Sequence, residues 1–227
     1  MEGGRSELFE LFATAARGYA IAPGRPSAHN YPVPADVDLS SLQRALEARE
    51  PQVIAEAKTR AAVATVLRPG EAGPEVLLIR RAEHPEDPWS GHMAFPGGRK
   101  DPEDADLLAT AVRETREELG LDLGAGAHAK LFGRLDDTEA IARARRVGMV
   151  ISQFVFEVGD LPPLTPNREV AEALWAPIGP MIARSTATTK HYVYEGQELE
   201  LPAFDVEGRV VWGLTYYMLE RLFSLLR

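Results

Sequence analysis

The sequence predicts an α/β (α+β) fold with a mixed sheet in residues 60–227, preceded by a partly helical N-terminal extension over residues 1–59. Three observations predict it. Short apolar runs of strand length are bounded by turn residues, an amphipathic helix lies in the middle of the chain, and a second apolar-striped helix closes it. At 227 residues the chain is long enough to bury a real core.

In order, Leu8 to Tyr19 has the pattern of a short helix, and Ala22 to Asp36 is an irregular arm carrying Pro23, Pro26, Pro32 and Pro34. A second helical stretch runs from about Leu39 to Lys58. Ala61 to Leu67 and Glu75 to Arg81 flank the turn signal Arg68-Pro69-Gly70 and suggest neighbouring strands. Leu107 to Gly120 is the central helix, with Asp104 or Asp106 as its cap and Gly120 where a left-handed C-terminal residue belongs. Leu108, Ala111, Val112, Thr115 and Leu119 form its apolar stripe. Further strands are predicted over Lys130 to Leu135, Met149 to Val158, Glu172 to Trp175, Tyr192 to Tyr194 and Val210 to Trp212. The closing helix starts near Leu214, with Leu214, Tyr217, Met218, Leu222 and Leu225 as its buried stripe and Trp212 as core.

Composition narrows the function. The hydrophobic share of 45% and charged share of 26% are those of an ordinary globular protein. A formal net charge of -9 argues against a nucleic-acid polymer as partner. The absence of cysteine excludes disulfides, thiolate metal sites and cysteine nucleophiles. No stretch approaches the roughly 20 apolar residues of a membrane span, and the first residues lack the basic start and apolar core of a signal peptide. The expectation is a cytoplasmic protein, monomer or homodimer, with neither nucleic acid nor membrane as partner.

The chemistry sits on the central helix. Glu114, Glu117 and Glu118 are spaced i, i+3, i+4, so their carboxylates share one side. Such runs commonly decorate exposed helices. Here, however, a Pro96-Gly97-Gly98 turn stands just ahead, where glycine lets backbone approach an ion or phosphate closely. A hard divalent cation would convert the mutual repulsion of the acids into a binding site. Arg113, four residues before Glu117, can hold one carboxylate in orientation.

Phe95-Pro96-Gly97-Gly98 followed by Arg113-Glu114-Thr115-Arg116-Glu117-Glu118-Leu119-Gly120-Leu121 resembles the Nudix box, G-x5-E-x7-R-E-U-x-E-E-x-G-U, where U is a bulky apolar residue. Thr115 stands at an apolar position, and Gly98 to Leu121 is one residue longer than the pattern. Counted back from Arg113, the mid-box glutamate falls on Ala105, with Glu103 and Asp104 just before it.

The resemblance implies a mixed sheet with the box as loop-helix-loop, and hydrolysis of a phosphoanhydride in a small nucleoside diphosphate derivative. It implies Mg²⁺ or Mn²⁺ held by Glu114, Glu117 and Glu118 with the Gly97 carbonyl, and catalytic roles for Arg113 and Glu117. Glu169 ranks ahead of Glu172 as general base. Leu77-Leu78-Ile79-Arg80-Arg81 and Gly91-x-x-x-Phe95-Pro96-Gly97-Gly98 are similar to the signature of the coenzyme A diphosphatase branch. Ala82 replaces a serine of that signature, and the joining segment is acidic where an arginine is expected. Coenzyme A carries a 3′-phosphate, for which Arg80, Arg81, Arg145 and Arg146 are the candidate cations. ADP-ribose, NADH or a nucleotide sugar are the rival substrates. A nucleotide-binding module that does not cleave is the rival class, although such modules usually lose box glutamates that this chain keeps.

Overall fold

The computed structural model describes residues 37–227 apart from 88, 125–127, 143–144 and 195–196, and describes 141, 142, 145–147, 194 and 197 by backbone alone. The predicted helix at Leu8 to Tyr19 lies outside the described residues. So do the side chains of Arg145 and Arg146, whose backbone opens a long strand.

The fold is organised around β1 (Thr59–Arg68), which runs parallel to β7 (Arg145–Val158) from Thr59↔Met149 to Leu67↔Glu157. The other edge of β1 is shared. β4 (Gly97–Arg99) covers Ala61 to Val63, and β2 (Glu75–Arg81) reaches β1 only at Leu67 and Arg68. The two apolar runs read as neighbours therefore meet only at the ends nearest their turn. β2 continues the sheet through β3 (Met93–Ala94) and β8 (Val170–Pro177), while β5 (Ala129–Arg134) and β6 (Thr138–Ala142) both pair with β7. A second sheet holds β9 (Ala187–Tyr194), β10 (Gln197–Val206) and β11 (Arg209–Trp212). Glu207 and Gly208 join the last two, both at positive φ, as a two-residue hairpin of matching twist requires.

Both faces of the main sheet are covered, which is why β1 and β2 read as continuous apolar runs rather than alternating ones. One core takes Leu67, Val76 and Leu78 with α1 (Leu39–Glu47) and α4 (Gly213–Phe223). The other takes Ala62, Ala64, Val66, Leu77 and Ile79 with Ala111 and Leu119 of α2 (Leu107–Leu119). A short α3 (Ile178–Ile182) follows β8. Among the described residues no helix is long and apolar enough to cross a membrane.

Two sequence expectations are corrected. The helix expected over Leu39 to Lys58 ends at Glu47, ahead of Pro51, whose ring disfavours helical backbone in the residue before it. Of the predicted stripe the closing helix buries Met218 and Leu222, while Leu214 and Tyr217 are only partly buried and Leu225 lies beyond its end. Thr215, Tyr216, Leu219, Glu220, Arg221 and Phe223 are buried as well. Polar positions are buried there because they are partnered. Glu220 accepts from Arg184, and Arg221 pairs with Asp136 and donates to Thr138.

Candidate active site

The glycine turn meets α2 at the middle of β1. Gly97 has φ 151°, and a Cβ there would lie 2.3 Å from the Ala62 carbonyl oxygen, so only glycine pairs at this position. At Gly98 a Cβ would lie 2.3 Å from Glu114 Oε1; the bare backbone leaves that carboxylate its place.

Helix α2 is capped at its start by Asp106, whose Oδ1 accepts from Ala109 N at 2.8 Å, and at its end by Gly120 with φ 67°. Of the two proposed caps, Asp104 has a different task. It is buried and accepts from Asp101 N and the Thr110 hydroxyl, each at 2.9 Å. It also accepts from Arg113 through both Nε and Nη2, and this bidentate pair holds its carboxyl well below the usual carboxylate range. Counted forward from Gly98, Asp104 has the spacing of the mid-box acid, so the added residue falls between Asp104 and Arg113.

Arg113, fixed by Asp104 and the Arg99 carbonyl, turns Nη1 between Glu114 Oε1 at 3.0 Å and Glu117 Oε2 at 3.1 Å. Glu118, one turn on from Glu114, is almost fully buried, with Oε2 accepting from Gly97 N at 2.9 Å. Burial pushes its carboxyl up to about 8; the charges of Glu114 and Glu169 add to this, while the Gly97 hydrogen bond and Arg81 oppose it. Burial also raises the Glu114 carboxyl, against the pull of Arg113. Among the described residues no three acids or histidines already stand in a metal-holding group, Arg113 being interposed between Glu114 and Glu117. The donor set nevertheless suits a hard cation, being carboxylate oxygens only: Glu118 buried, Glu114 half-buried and Glu117 exposed, with Arg113 on the last two.

The flanking candidates separate. Glu169 is exposed, its backbone carbonyl accepts from Ala82 N, and its charge acts on Glu118. Glu172 is tied to Arg209 and lies 3.5 Å from Arg80, and these cations lower its carboxyl. Arg81 forms a two-pronged pair with Asp87, at 2.8 and 2.7 Å, a partner not anticipated from the sequence because it lies on a loop. Phe95 is buried as packing. Trp212 is only partly buried rather than core: its ring lies 4.7 Å from that of His92 and 5.4 Å from that of Tyr192.

This arrangement of glycine turn and acidic helix agrees with a direct comparison: the model of the NUDIX domain matches residues 58–194. The chain belongs to the Nudix family. The matched Nudix segment runs from the start of β1 to the end of β9, so it contains the glycine turn, α2 and Glu169. An uncharacterized protein of Schizosaccharomyces pombe is 39% identical over 111 residues, 48% of this chain and 33% of that protein. A mitochondrial coenzyme A diphosphatase of Homo sapiens is 32% identical over 157 residues, 67% of this chain and 63% of that one. The protein of the same name from Mus musculus is 31% identical over 176 residues, 74% of this chain and 80% of that one. The Nudix chain thus spans a third of the length of the S. pombe relative and just under two thirds of the human one.

Proposed function

We propose that this Nudix domain hydrolyses the phosphoanhydride of coenzyme A or an acyl-CoA, giving 3′,5′-ADP and (acyl-)4′-phosphopantetheine, with Mg²⁺ or Mn²⁺ as cofactor. The observation that carries the chemistry is the buried Glu118 carboxyl clasped on Gly97 N beside a half-buried Glu114, two oxygen-donor groups converging on the glycine turn. The choice of substrate rests on the segments Leu77 to Arg81 and Gly91 to Gly98, and on two relatives that carry the name coenzyme A diphosphatase. In this reading the protein works in the cytoplasm as a monomer or homodimer.

Glu114, Glu117 and Glu118, with the Gly97 carbonyl, would hold the cation. Bound there, it supplies charge neutralisation for the pyrophosphate and acidifies a water. Arg113, locked by Asp104, keeps the Glu114 and Glu117 carboxylates in place. Glu169 takes the proton of the attacking water, whose oxygen bonds to phosphorus as the bridging P–O bond breaks. Glu172 is the poorer base because Arg209 and Arg80 stabilise its ionised form. Arg80 and Arg81 would bind substrate phosphate by exchanging it for Glu172 and Asp87; Arg145 and Arg146 complete the cationic candidates.

The test is incubation with coenzyme A and Mg²⁺ or Mn²⁺, with products resolved by chromatography and Glu117→Gln as control. Release of 3′,5′-ADP, abolished in the variant, is the expected result. Turnover of ADP-ribose or NADH alone would replace the substrate, and silence on all three would favour a binding module.

A further inference from the structure

The second sheet carries a polar-rimmed aromatic patch that the chemistry above does not use. On β9, Thr188, Lys190 and Tyr192 alternate onto one face, opposite Ala203, Leu201 and Leu199 of β10; Trp212 of β11 lies across from Ala203 on the same face. His92, just before β3, stacks on Trp212 with its ring tilted by 52°, and Tyr192 is tilted by 43°. Neither ring lies parallel to the indole, so no flat stack seals it, and all three rings are only partly buried.

The patch borders the site. The His92 carbonyl accepts from Arg81 N, and the neighbouring Met93 carbonyl accepts from Thr215 of α4. Arg81 in turn acts electrostatically on Glu118. Burial holds the His92 imidazole below its ordinary value; Lys190 and Arg81, which face it, act in the same direction, while Asp87 and Glu83 oppose it.

The cations nearby differ in their commitments. Arg80, Arg81 and Arg209 each have a carboxylate partner, in Glu172, Asp87 and Glu172. Lys190 has none among the described residues, and its Nζ lies 5.8 Å from the Trp212 ring centroid. An aromatic platform with an ammonium that is held over the ring and paired with no described carboxylate fits a nucleobase whose sugar bears a phosphate of its own.

We propose that Trp212, with His92 and Tyr192, seats the substrate's nucleobase, and that Lys190 holds a phosphate on that nucleoside outside the cleaved bridge. The proposal rests on the reading of the chain as a hydrolase of a nucleoside diphosphate derivative, and its test is independent of turnover. Adenosine 3′,5′-bisphosphate is titrated into the full chain while tryptophan fluorescence is followed. Quenching is expected in the wild type, in Trp89→Phe and in Trp175→Phe, and is expected to vanish in Trp212→Phe, which keeps an aromatic ring for the fold. By calorimetry, Lys190→Met should bind the bisphosphate about tenfold more weakly while its affinity for AMP stays unchanged. Lys190→Arg should restore the difference. Persistent quenching in Trp212→Phe, equal weakening for both nucleotides, or no binding by the wild type overturns the subsite. Hydrolysis alongside any of these leaves the hydrolase reading standing. Binding with the expected dependence, but no hydrolysis of any nucleotide, sinks that reading and leaves the subsite.

Discussion

Asp104 receives both Nε and Nη2 of Arg113, at 2.9 and 3.0 Å, from outside the helix that carries the arginine. The pair sets where Nη1 lies between Glu114 and Glu117. Asp104→Asn should therefore lower activity by about 10–100-fold, as loss of a partner that orients metal ligands does. The aspartate is depressed in the folded state, so its stabilisation is complete above the unfolded value near 3.9 and fades as pH falls below it. Urea midpoints measured from pH 7 to pH 3 should fall less steeply in the variant.

Glu118 has the opposite sign. Its folded carboxyl lies at about 8, so in the metal-free protein the Glu118 contribution is fully present below the unfolded value near 4.3 and is lost as pH rises through 8. Glu118→Gln should flatten that loss, which is on the order of a few kcal/mol, while abolishing stabilisation by Mg²⁺ or Mn²⁺. Thermal melts with and without metal at pH 5 and pH 8.5 read both effects. A variant that still gains stability from metal would remove Glu118 from the ligand set.

The two glycines of the turn should respond differently to alanine. At Gly97 the new methyl meets the backbone of Ala62 and Val63, which the β1 pairing holds in place, so Gly97→Ala should cost about 2–4 kcal/mol of stability. At Gly98 it meets the end of the Glu114 side chain, which can swing away. Gly98→Ala should leave the melting temperature within a few degrees of wild type and still depress activity.

Glu169 and Glu172 are separated by the same kind of comparison. Glu169→Gln should reduce kcat by about 10²–10⁴ at an unchanged melting temperature, the range for loss of a general base. Glu172→Gln should cost less than tenfold, since it mainly frees Arg209 and Arg80. The reverse order would exchange their roles.

Much of this was legible in the sequence, for particular reasons. β2 has the predicted bounds, and β1 extends the predicted run by two residues at its start and one at its end, because burial on both faces writes an unbroken apolar run into each. β3 and β4 were missed: strands of two and three residues, one of them Gly97-Gly98-Arg99, owe their extension to their partners rather than to propensity. β10 was hidden by Pro202 and by the exposed glutamates 198 and 200, and the short β6 was also missed. Spacing on one helix announced Glu114, Glu117 and Glu118. It could not announce Asp104–Arg113, Arg81–Asp87 or the ring contacts of Trp212, because each partner reaches across a loop or between separate strands.

Among the described strand pairs only β1 and β7 run parallel, joining Thr59 to Met149 and enclosing the glycine turn and α2 in the intervening chain. Closing so long a loop is slow and must precede the contacts that reward it. The residues proposed to hold the ion would then come into register only on the native side of the folding barrier. Stopped-flow refolding should proceed at the same rate with or without Mg²⁺, while unfolding slows as the metal is raised, so the cofactor would lengthen the lifetime of the folded state without hastening its birth.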